Sequence, residues 1–261
     1  MHPMLTIAVR AARRGGTIIQ RARSRLHEID FDQKGKQDYV SQVDRDSEMA
    51  VIDTLLTAFP HHAIKAEESG EQGKSDHIWI IDPLDGTLNF LHGYNRFAIS
   101  IALKIQGRLD QAVVYDPVMD DLFTASRGMG AQLNGQKIRT ANRSNLSQCL
   151  LATGFPVRTP NDITSSLSSF SDVLPRCSDI RRSGAASLDL AYVACGNLDG
   201  YWESGLKEWD VAAGSLLVQE SGGLVGDLSG TEKHLDTGNI IAANPRIYKQ
   251  LLPLVKLAKK L

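Results

Sequence analysis

The chain has 261 residues, of which 29 are Lys or Arg and 30 are Asp or Glu, so its formal net charge at pH 7 is −1. This balance gives no reason to expect nucleic acid as a partner, and 42% hydrophobic with 23% charged residues is typical of an ordinary globular protein. No apolar stretch approaches the roughly 18 residues that a membrane-spanning helix needs, so we expect no membrane association.

The first predicted element is a helix over about Pro3–Arg25. Its apolar side chains can share one helical face, which predicts a helix that packs on a core. The opposite face is basic, and no acidic residue occurs before position 28. Such a composition resembles a transit peptide, but the apolar face favours a helix of the folded domain. The apolar residues of this face are Ile7, Ala8, Ala11, Ile18 and Ile19.

A second helix is predicted to begin at Asp44 as its N-cap and to end near Phe59. A short buried strand, His77–Ile81, then ends at Asp82-Pro83. Asn134-Gly135 predicts a hairpin turn between two short strands. Three more strands are predicted between these points, at Phe97–Ile105, Leu109–Tyr115 and Leu122–Ala125.

The second half of the chain continues to mix the two kinds of element, and its serine-rich stretch Thr164–Ser171 reads as a loop or a helix entry. The irregular order of elements and the absence of internal repeats predict a mixed α/β chain with one domain over residues 1–261. The helices are predicted at Ser187–Cys195, at Val211–Gln219 and from Pro245 onward, and the strands at Asp199–Glu203 and Ile240–Ala243.

The three cysteines, Cys149, Cys177 and Cys195, are odd in number and contain no C-x-x-C spacing. This pattern argues against a disulfide framework and against a zinc site. We therefore expect three small buried side chains in a protein of a reducing compartment, the cytoplasm.

The sharpest chemical feature is the segment Asp82-Pro83-Leu84-Asp85-Gly86-Thr87, which follows the end of the predicted buried strand. Hard cations bind oxygen ligands, and this turn offers two carboxylates, the Leu84 carbonyl and the Thr87 hydroxyl around one point. Gly86 would let the backbone approach a ligand closely. The alternative is an Asp-rich turn that only caps the next segment.

Two further acidic positions could join this turn. Glu67-Glu68 lies just upstream, and Asp210 stands at a predicted helix start within Trp209–Gly214. Taken alone, the first pair could be a solvated face and Asp210 a plain helix cap. Together with Asp82 and Asp85, however, these carboxylates suit Mg²⁺ better than zinc, which favours phosphate chemistry.

These motifs resemble those of the inositol monophosphatase family, which comprises Mg²⁺-dependent, lithium-sensitive phosphatases. The resemblance runs along essentially the whole chain and implies a layered αβαβα fold and a homodimer. It rests on three ordered acidic motifs, Glu67-Glu68-Ser69, Asp82–Phe90 and Trp209–Gly214.

The resemblance also implies roles for single residues. Two to three Mg²⁺ ions would be held by Glu67, Asp82, the Leu84 carbonyl, Asp85 and Asp210, with Glu67 also serving the third ion. Thr87 would polarise the attacking water, and Asp44 would hydrogen-bond behind it. The substrate would meet Asp85, Gly86, Thr87 and Asp210, the backbone of Gly184, Ala185 and Ala186, and the carboxylate of Glu203. A mobile loop near the metals would include Lys34, Lys36 and Asp38, the last within a D-x-V-T-x-x-D pattern in which Ser41 replaces Thr.

The sequence departs from the family pattern in two places: Leu88 replaces a second Thr, and Phe155-Pro156-Val157 stands where animal members carry serines that touch the substrate. We predict hydrolysis of inositol-1-phosphate by metal-activated water. The alternatives within the fold are phosphatases for fructose-1,6-bisphosphate, 3′-phosphoadenosine nucleotides or histidinol phosphate. A function of a different kind is also an alternative. The resemblance to bacterial members with a second role implies a binding protein in bacterial RNA-polymerase complexes.

Overall fold

The computed structural model of the chain describes residues 2–35, 38–155 and 160–256, with eight α-helices and fifteen strands in those ranges. The helices are α1 (Pro3–Arg23), α2 (Gln42–Ala58), α3 (Thr87–Leu91), α4 (Pro160–Val173), α5 (Ala186–Ala194), α6 (Glu208–Glu220), α7 (His234–Thr237) and α8 (Pro245–Val255). The strands are β1 (Phe31–Gly35), β2 (Asp38–Ser41), β3 (Ala63–Ala66), β4 (Gly70–Gln72), β5 (His77–Asp85), β6 (Ala98–Ile105), β7 (Arg108–Asp116), β8 (Asp121–Ser126), β9 (Gly130–Leu133), β10 (Gln136–Lys137), β11 (Leu150–Thr153), β12 (Asp179–Arg181), β13 (Gly200–Glu203), β14 (Leu224–Gly226) and β15 (Ile240–Ala243).

The elements form five layers. The helices α1 and α2 cover one face of a mixed eight-stranded sheet with the order β10-β9-β8-β7-β6-β5-β3-β4. Its other face meets α5 and α6, which also pack on a five-stranded sheet of order β12-β11-β13-β15-β14. The outer face of this smaller sheet is covered by α8, on which α4 packs. The predicted αβαβα architecture is therefore confirmed.

Each layer contact has its own apolar core. The core under α1 and α2 includes Ile19, Leu55 and Trp79, and the core around α5 and α6 includes Leu190 and Leu217. A third and smaller core lies between the five-stranded sheet and α8. Because sheets and helices alternate, every buried face of each sheet is matched by an apolar helix face.

The predicted N-terminal helix is present, and Ala8, Ala11 and Ile19 are fully buried on its inner face. Ile7 and Ile18 lie only at the margin of that face. In the described part of the chain, no helix is long and apolar enough to cross a membrane.

Several boundaries differ from the sequence-based predictions. The helix α2 begins at Gln42 and its N-cap is Ser41, so the prediction of Asp44 as N-cap is wrong. Asp44 is instead the third helical residue, and its side chain accepts the Ser41 backbone N–H in a capping box. The strand β5 continues through Asp82 to Asp85 because Asp85 still pairs with Ala98 on β6.

Two other predictions need correction. The serine-rich stretch Thr164–Ser171 lies inside α4. The cysteines are all free, as expected, but only Cys149 is fully buried, while Cys177 and Cys195 are half-buried.

Candidate active site

The acidic residues of the site come from the ends of neighbouring elements. The strands β3 and β5 are parallel, with Ala66 beside Ile81, so Glu67 and Asp82 follow each other across the same sheet edge. The Glu67 N–H continues this ladder by donating to the Ile81 carbonyl at 3.1 Å. Parallel strands place their carboxyl ends at one edge, which is where ligands bind in open α/β sheets.

The start of α6 reaches the same place. The Ser100 hydroxyl on β6 donates to the Trp209 carbonyl at 3.0 Å, and Ser100 is the cross-strand partner of Asp82. Asp210 follows Trp209 at once, and its Oδ2 accepts the Lys207 N–H at 2.7 Å. The first turn of α6 therefore carries Asp210 over the end of β5.

The carboxylates interact strongly at this edge. Burial raises the pKa of Asp82 well above its usual range, and the carboxylates of Glu67, Asp85 and Asp210 raise it further. Like charges this close favour protonation of one of the group unless a cation neutralises them. The donor set thus suits a hard divalent cation, although no three acidic, histidine or cysteine side chains of the described residues already enclose an ion position.

The turn after β5 depends on one glycine. Gly86 adopts φ 93°, a left-handed conformation, and a Cβ atom there would lie 2.8 Å from the Arg96 carbonyl oxygen. Both observations require glycine at this position. The turn is further held by the Leu84 N–H, which donates to Asp82 Oδ1 at 3.0 Å.

Asp85 is fixed by α5. Its Oδ2 accepts the backbone N–H and the hydroxyl of Ser187 at 2.7 and 2.5 Å. Burial raises the pKa of Asp85 to about 6, although the bonds from Ser187 act in the opposite direction. The contact of Ser187 with Asp85 was not predicted from the sequence, because the two residues are about one hundred positions apart along the chain.

Thr87 and Asp44 meet, as the resemblance implies. The Thr87 hydroxyl lies 2.8 Å from Asp44 Oδ1 and 3.1 Å from the Leu84 carbonyl oxygen. Asp44 Oδ2 accepts the N–H and the hydroxyl of Ser41 at 2.8 and 2.6 Å. Burial raises the pKa of Asp44, and the bonds from Ser41 and Thr87 counteract that rise. The orientation of the Thr87 hydroxyl is therefore set by a buried acid.

A second buried acid of α2, Glu48, holds the turn that carries Glu67. Its two carboxylate oxygens accept the backbone N–H groups of Glu68 and Ser69, each at 2.8 Å. The neighbouring Ser47 hydroxyl donates to the Pro83 carbonyl at 3.0 Å. Sequence reasoning missed these anchors, although their spacing from Asp44, three and four residues, places all three on one helical face.

The smaller sheet contributes Glu203 at the end of β13. The fully buried Tyr201 donates its hydroxyl to Glu203 Oε2. At Gly154, which follows β11, a Cβ atom would stand 2.1–2.2 Å from the Glu203 carboxyl atoms. Burial raises the pKa of Glu203 to about 7, and Asp85 is close enough to add to this effect. The Glu203 carboxyl group therefore occupies the place that a side chain at position 154 would take, near enough to Asp85 for the two charges to interact.

The segment before α5 is tied to the β5 turn. Asn89 Nδ2 donates to the Ser183 carbonyl at 2.9 Å and to the Arg96 carbonyl at 2.6 Å. Gly184 follows with φ 83°, then Ala185 as the N-cap of α5 and Ala186 as its first residue. The N–H groups at the start of α5 thus stand near Asp85, and the start of a helix is a favourable place for an anion.

The predicted loop residues and the residues that depart from the family pattern are described only in part. The backbones of Lys34 and Asp38 lie on the paired strands β1 and β2, but their side chains, with all of Lys36, are outside the described residues. Leu88 is partly exposed beside Thr87. Phe155 packs edge to face on Phe170 at 5.8 Å, and Pro156 and Val157 are outside the described residues.

Comparison with known proteins agrees with this architecture. The model of the inositol monophosphatase family matches residues 1–260. The chain is 50% identical over 262 residues to Nus factor SuhB of Pseudomonas aeruginosa, which covers 98% of this chain and 97% of that protein.

Solved structures also share the fold of this chain. The extragenic suppressor protein SuhB of Bartonella henselae superimposes with a TM-score of 0.94 at 43% identity, covering 98% of each chain. The inositol monophosphatase of Anabaena gives 0.85 at 39% identity, covering 96% of this chain and 94% of that one. Fold and matched motifs thus define a phosphatase superfamily. The chain belongs to the inositol monophosphatase family.

Proposed function

We propose that this protein is a Mg²⁺-dependent phosphomonoesterase that releases phosphate from inositol-1-phosphate. The observation that carries the proposal is the group of four mutually repelling carboxylates beside the hydrogen-bonded Thr87–Asp44 pair. Family membership and the similarity to the Anabaena inositol monophosphatase support the substrate class.

In this proposal Mg²⁺ is held by Glu67, Asp82, the Leu84 carbonyl, Asp85 and Asp210. Bound there, Mg²⁺ supplies Lewis acidity toward water and the phosphate ester, and it reverses the negative charge of the pocket.

The protein's own groups perform the remaining tasks. Thr87 accepts a hydrogen bond from the attacking water while Asp44 holds the hydroxyl of Thr87 in place. The backbone N–H groups from Gly184 to Ala186, together with that of Gly86, would meet the phosphate at the start of α5. Glu203 accepts a hydrogen bond from a hydroxyl of the sugar ring, which orients the leaving alcohol.

The direct test is a substrate panel assayed with and without Mg²⁺. Inositol-1-phosphate should be the best substrate among it, fructose-1,6-bisphosphate, 3′-phosphoadenosine nucleotides and histidinol phosphate, and EDTA should abolish its turnover. Full activity in EDTA would refute the metal-dependent mechanism. A different best substrate would refute only the substrate assignment.

A second candidate function has its own support, since the Pseudomonas relative is named a Nus factor. We propose that the chain also binds within bacterial RNA-polymerase complexes, through surfaces that include the exposed arginines of α1 such as Arg10 and Arg21. Purified RNA polymerase should retain the protein when Asp85 is replaced by Asn. Loss of binding in an Arg10→Ala, Arg21→Ala double variant would locate the surface, and no retention of the wild type would refute this role.

We also propose that the protein is a homodimer, as the family resemblance implies. Sedimentation at micromolar concentration should give about twice the 28.5 kDa mass of one chain. A single species of one chain's mass at that concentration would contradict the proposal.

A further inference from the structure

Glu208, the first residue of α6, is bound by two lysines of the larger sheet. Lys65 Nζ on β3 lies 2.9 Å from Glu208 Oε2, and Lys104 Nζ on β6 donates to Oε1. The side chain of Glu208 is only 12% exposed, and that of Lys104 18%. We call this group the Glu208 cluster. A second acid, Glu71, contacts Lys65 from the exposed side at 3.5 Å.

The strand register explains why both lysines reach the same carboxylate. Lys65 pairs with Ile80 of β5, and Lys104 pairs with Ile78 two residues earlier on the same strand. Residues two apart on a strand, and residues paired across strands, point to the same face of the sheet. The lysines therefore straddle β5 on the face that α6 covers.

The cluster joins the two parts of the carboxylate site that are most distant in sequence. Lys65 stands two residues before Glu67, and Glu208 stands two residues before Asp210. Between them, the Ser100 hydroxyl holds the Trp209 carbonyl. We propose that Glu208 is a positioning residue: its ion pairs with Lys65 and Lys104 set the position of Asp210 relative to Glu67 and so determine how tightly the site binds Mg²⁺. The inference rests on the proposed Mg²⁺-dependent function.

The ion pairs of the Glu208 cluster oppose the electrostatic repulsion within the carboxylate site. Four carboxylates at one sheet edge repel one another, and that repulsion would push the first turn of α6 away from β3 and β5. An ion pair in a shielded position opposes this force over a short distance and with a defined geometry. The side chains of Glu208 and Lys104 are largely shielded from solvent, and Lys65 contacts the other oxygen of the same carboxylate, so the three charges interact over a short distance.

The test compares Glu208→Gln with Lys104→Met and with their combination. Glu71→Gln is the matched control, because it removes the other acid that contacts Lys65 and leaves Glu208 in place. For each protein, binding of Mg²⁺ alone is measured by calorimetry, and urea unfolding is measured in EDTA.

We expect Glu208→Gln and Lys104→Met each to weaken Mg²⁺ binding about 10-fold, the lower end of the effect of residues that orient metal ligands. The combined variant should be little weaker than either one, because both remove the same cluster. Glu71→Gln should bind like the wild type. At saturating Mg²⁺ the kcat of Glu208→Gln should return to the wild-type value.

Wild-type Mg²⁺ affinity in a folded Glu208→Gln protein would overturn the inference, even if its urea midpoint falls, because the cluster would then serve stability alone. If Glu208→Gln does not fold, Lys104→Met decides by the same criterion. A wild-type protein that binds no Mg²⁺ would refute the proposed function and, with it, this inference. Binding by the wild type with unchanged affinity in the variants refutes only the role of Glu208.

Discussion

The two sides of the candidate site are held in different ways. On the carboxylate side, short-range hydrogen bonds dominate: Ser41 to Asp44, and Leu84 to Asp82. On the Glu203 side, the position of the carboxyl group depends on the buried Tyr201 hydroxyl and on the absence of a side chain at Gly154. The first side is fixed by donors and acceptors, and the second mainly by volume.

This difference indicates which property each side controls. A carboxylate with several fixed hydrogen bonds keeps its geometry whatever ring the phosphate is attached to, so the first side should govern chemistry. A side chain whose position requires that its neighbour has no side chain responds to any increase in that neighbour's size, so the second side should govern which alcohol is accepted. Substitutions on each side can test whether chemistry and selectivity are controlled separately.

Replacing Asp85 by Asn should abolish phosphatase turnover. A neutral amide is a far poorer ligand for a hard cation than a carboxylate, although it still fills the same space and can accept a bond from Ser187. Folding should survive, because the apolar core does not depend on this charge, and circular dichroism and the urea midpoint should therefore match those of the wild type. Near-normal activity with Mg²⁺ would show that Asp85 is not a ligand.

Replacing Thr87 by Ala should lower kcat by about 10²–10⁴-fold, the usual range for proton-transfer assistance. The KM should change little, because the carboxylates and the phosphate contacts remain. Asp44→Asn should give a similar loss, since Asp44 orients the Thr87 hydroxyl at 2.8 Å.

The double variant Thr87→Ala, Asp44→Asn tests whether the two residues act as one unit. Its loss in kcat should be close to that of either single variant, because residues in one hydrogen-bonded unit are not additive. Losses that multiply would instead assign Asp44 only to the capping box with Ser41.

Local patterns in the sequence predict much of this fold. The Asn134-Gly135 hairpin, the helix that ends before Gly196 and the closing helix from Pro245 are all confirmed. The short strands β3, β11, β12 and β14 were not predicted, because their own residues show no clear alternation and they become strands only through their partners. Tertiary pairing, not propensity, defines these elements.

The same division applies to the site. The segment Asp82–Thr87 is recognisable because its ligand types are consecutive and follow a buried strand. Ser187 and Glu208, by contrast, meet partners that are about one hundred residues or more away along the chain. A single sequence contains no signal for such contacts until the fold brings the elements together.

Replacing Gly154 by Ala should affect selectivity rather than the metal-dependent step. The new Cβ atom would occupy the place of the Glu203 carboxyl group, which must then move. Loss of a hydrogen bond to a charged group predicts a decrease of about 10–100-fold in kcat/KM for inositol-1-phosphate. p-Nitrophenyl phosphate, which lacks ring hydroxyls, is the control substrate and should be hydrolysed at nearly the wild-type rate. An equal loss for both substrates would show that the two sides are not separable.

The smallest effect concerns stability and pH. Glu203 has a pKa of about 7 in the folded protein, above its usual 4.5, because burial disfavours its charged form. A raised pKa means that the folded state holds the proton more tightly than the unfolded chain, so its contribution to stability is complete below about pH 4.5 and is lost as pH rises through 7.

Glu203→Gln cannot ionise, but its amide oxygen can still accept the Tyr201 hydroxyl. The unfolding free energy of the variant minus that of the wild type should therefore rise by about 1–3 kcal/mol from pH 4.5 to pH 8. Solvent screening keeps this rise below the full value that the pKa shift implies. Urea unfolding in EDTA at both pH values measures this difference, and Asp46→Asn, at a partly exposed position on α2, is the control variant. A pH-independent difference would mean that the Glu203 carboxyl group is well solvated, and the Glu203 side of the site would then not be fixed by volume.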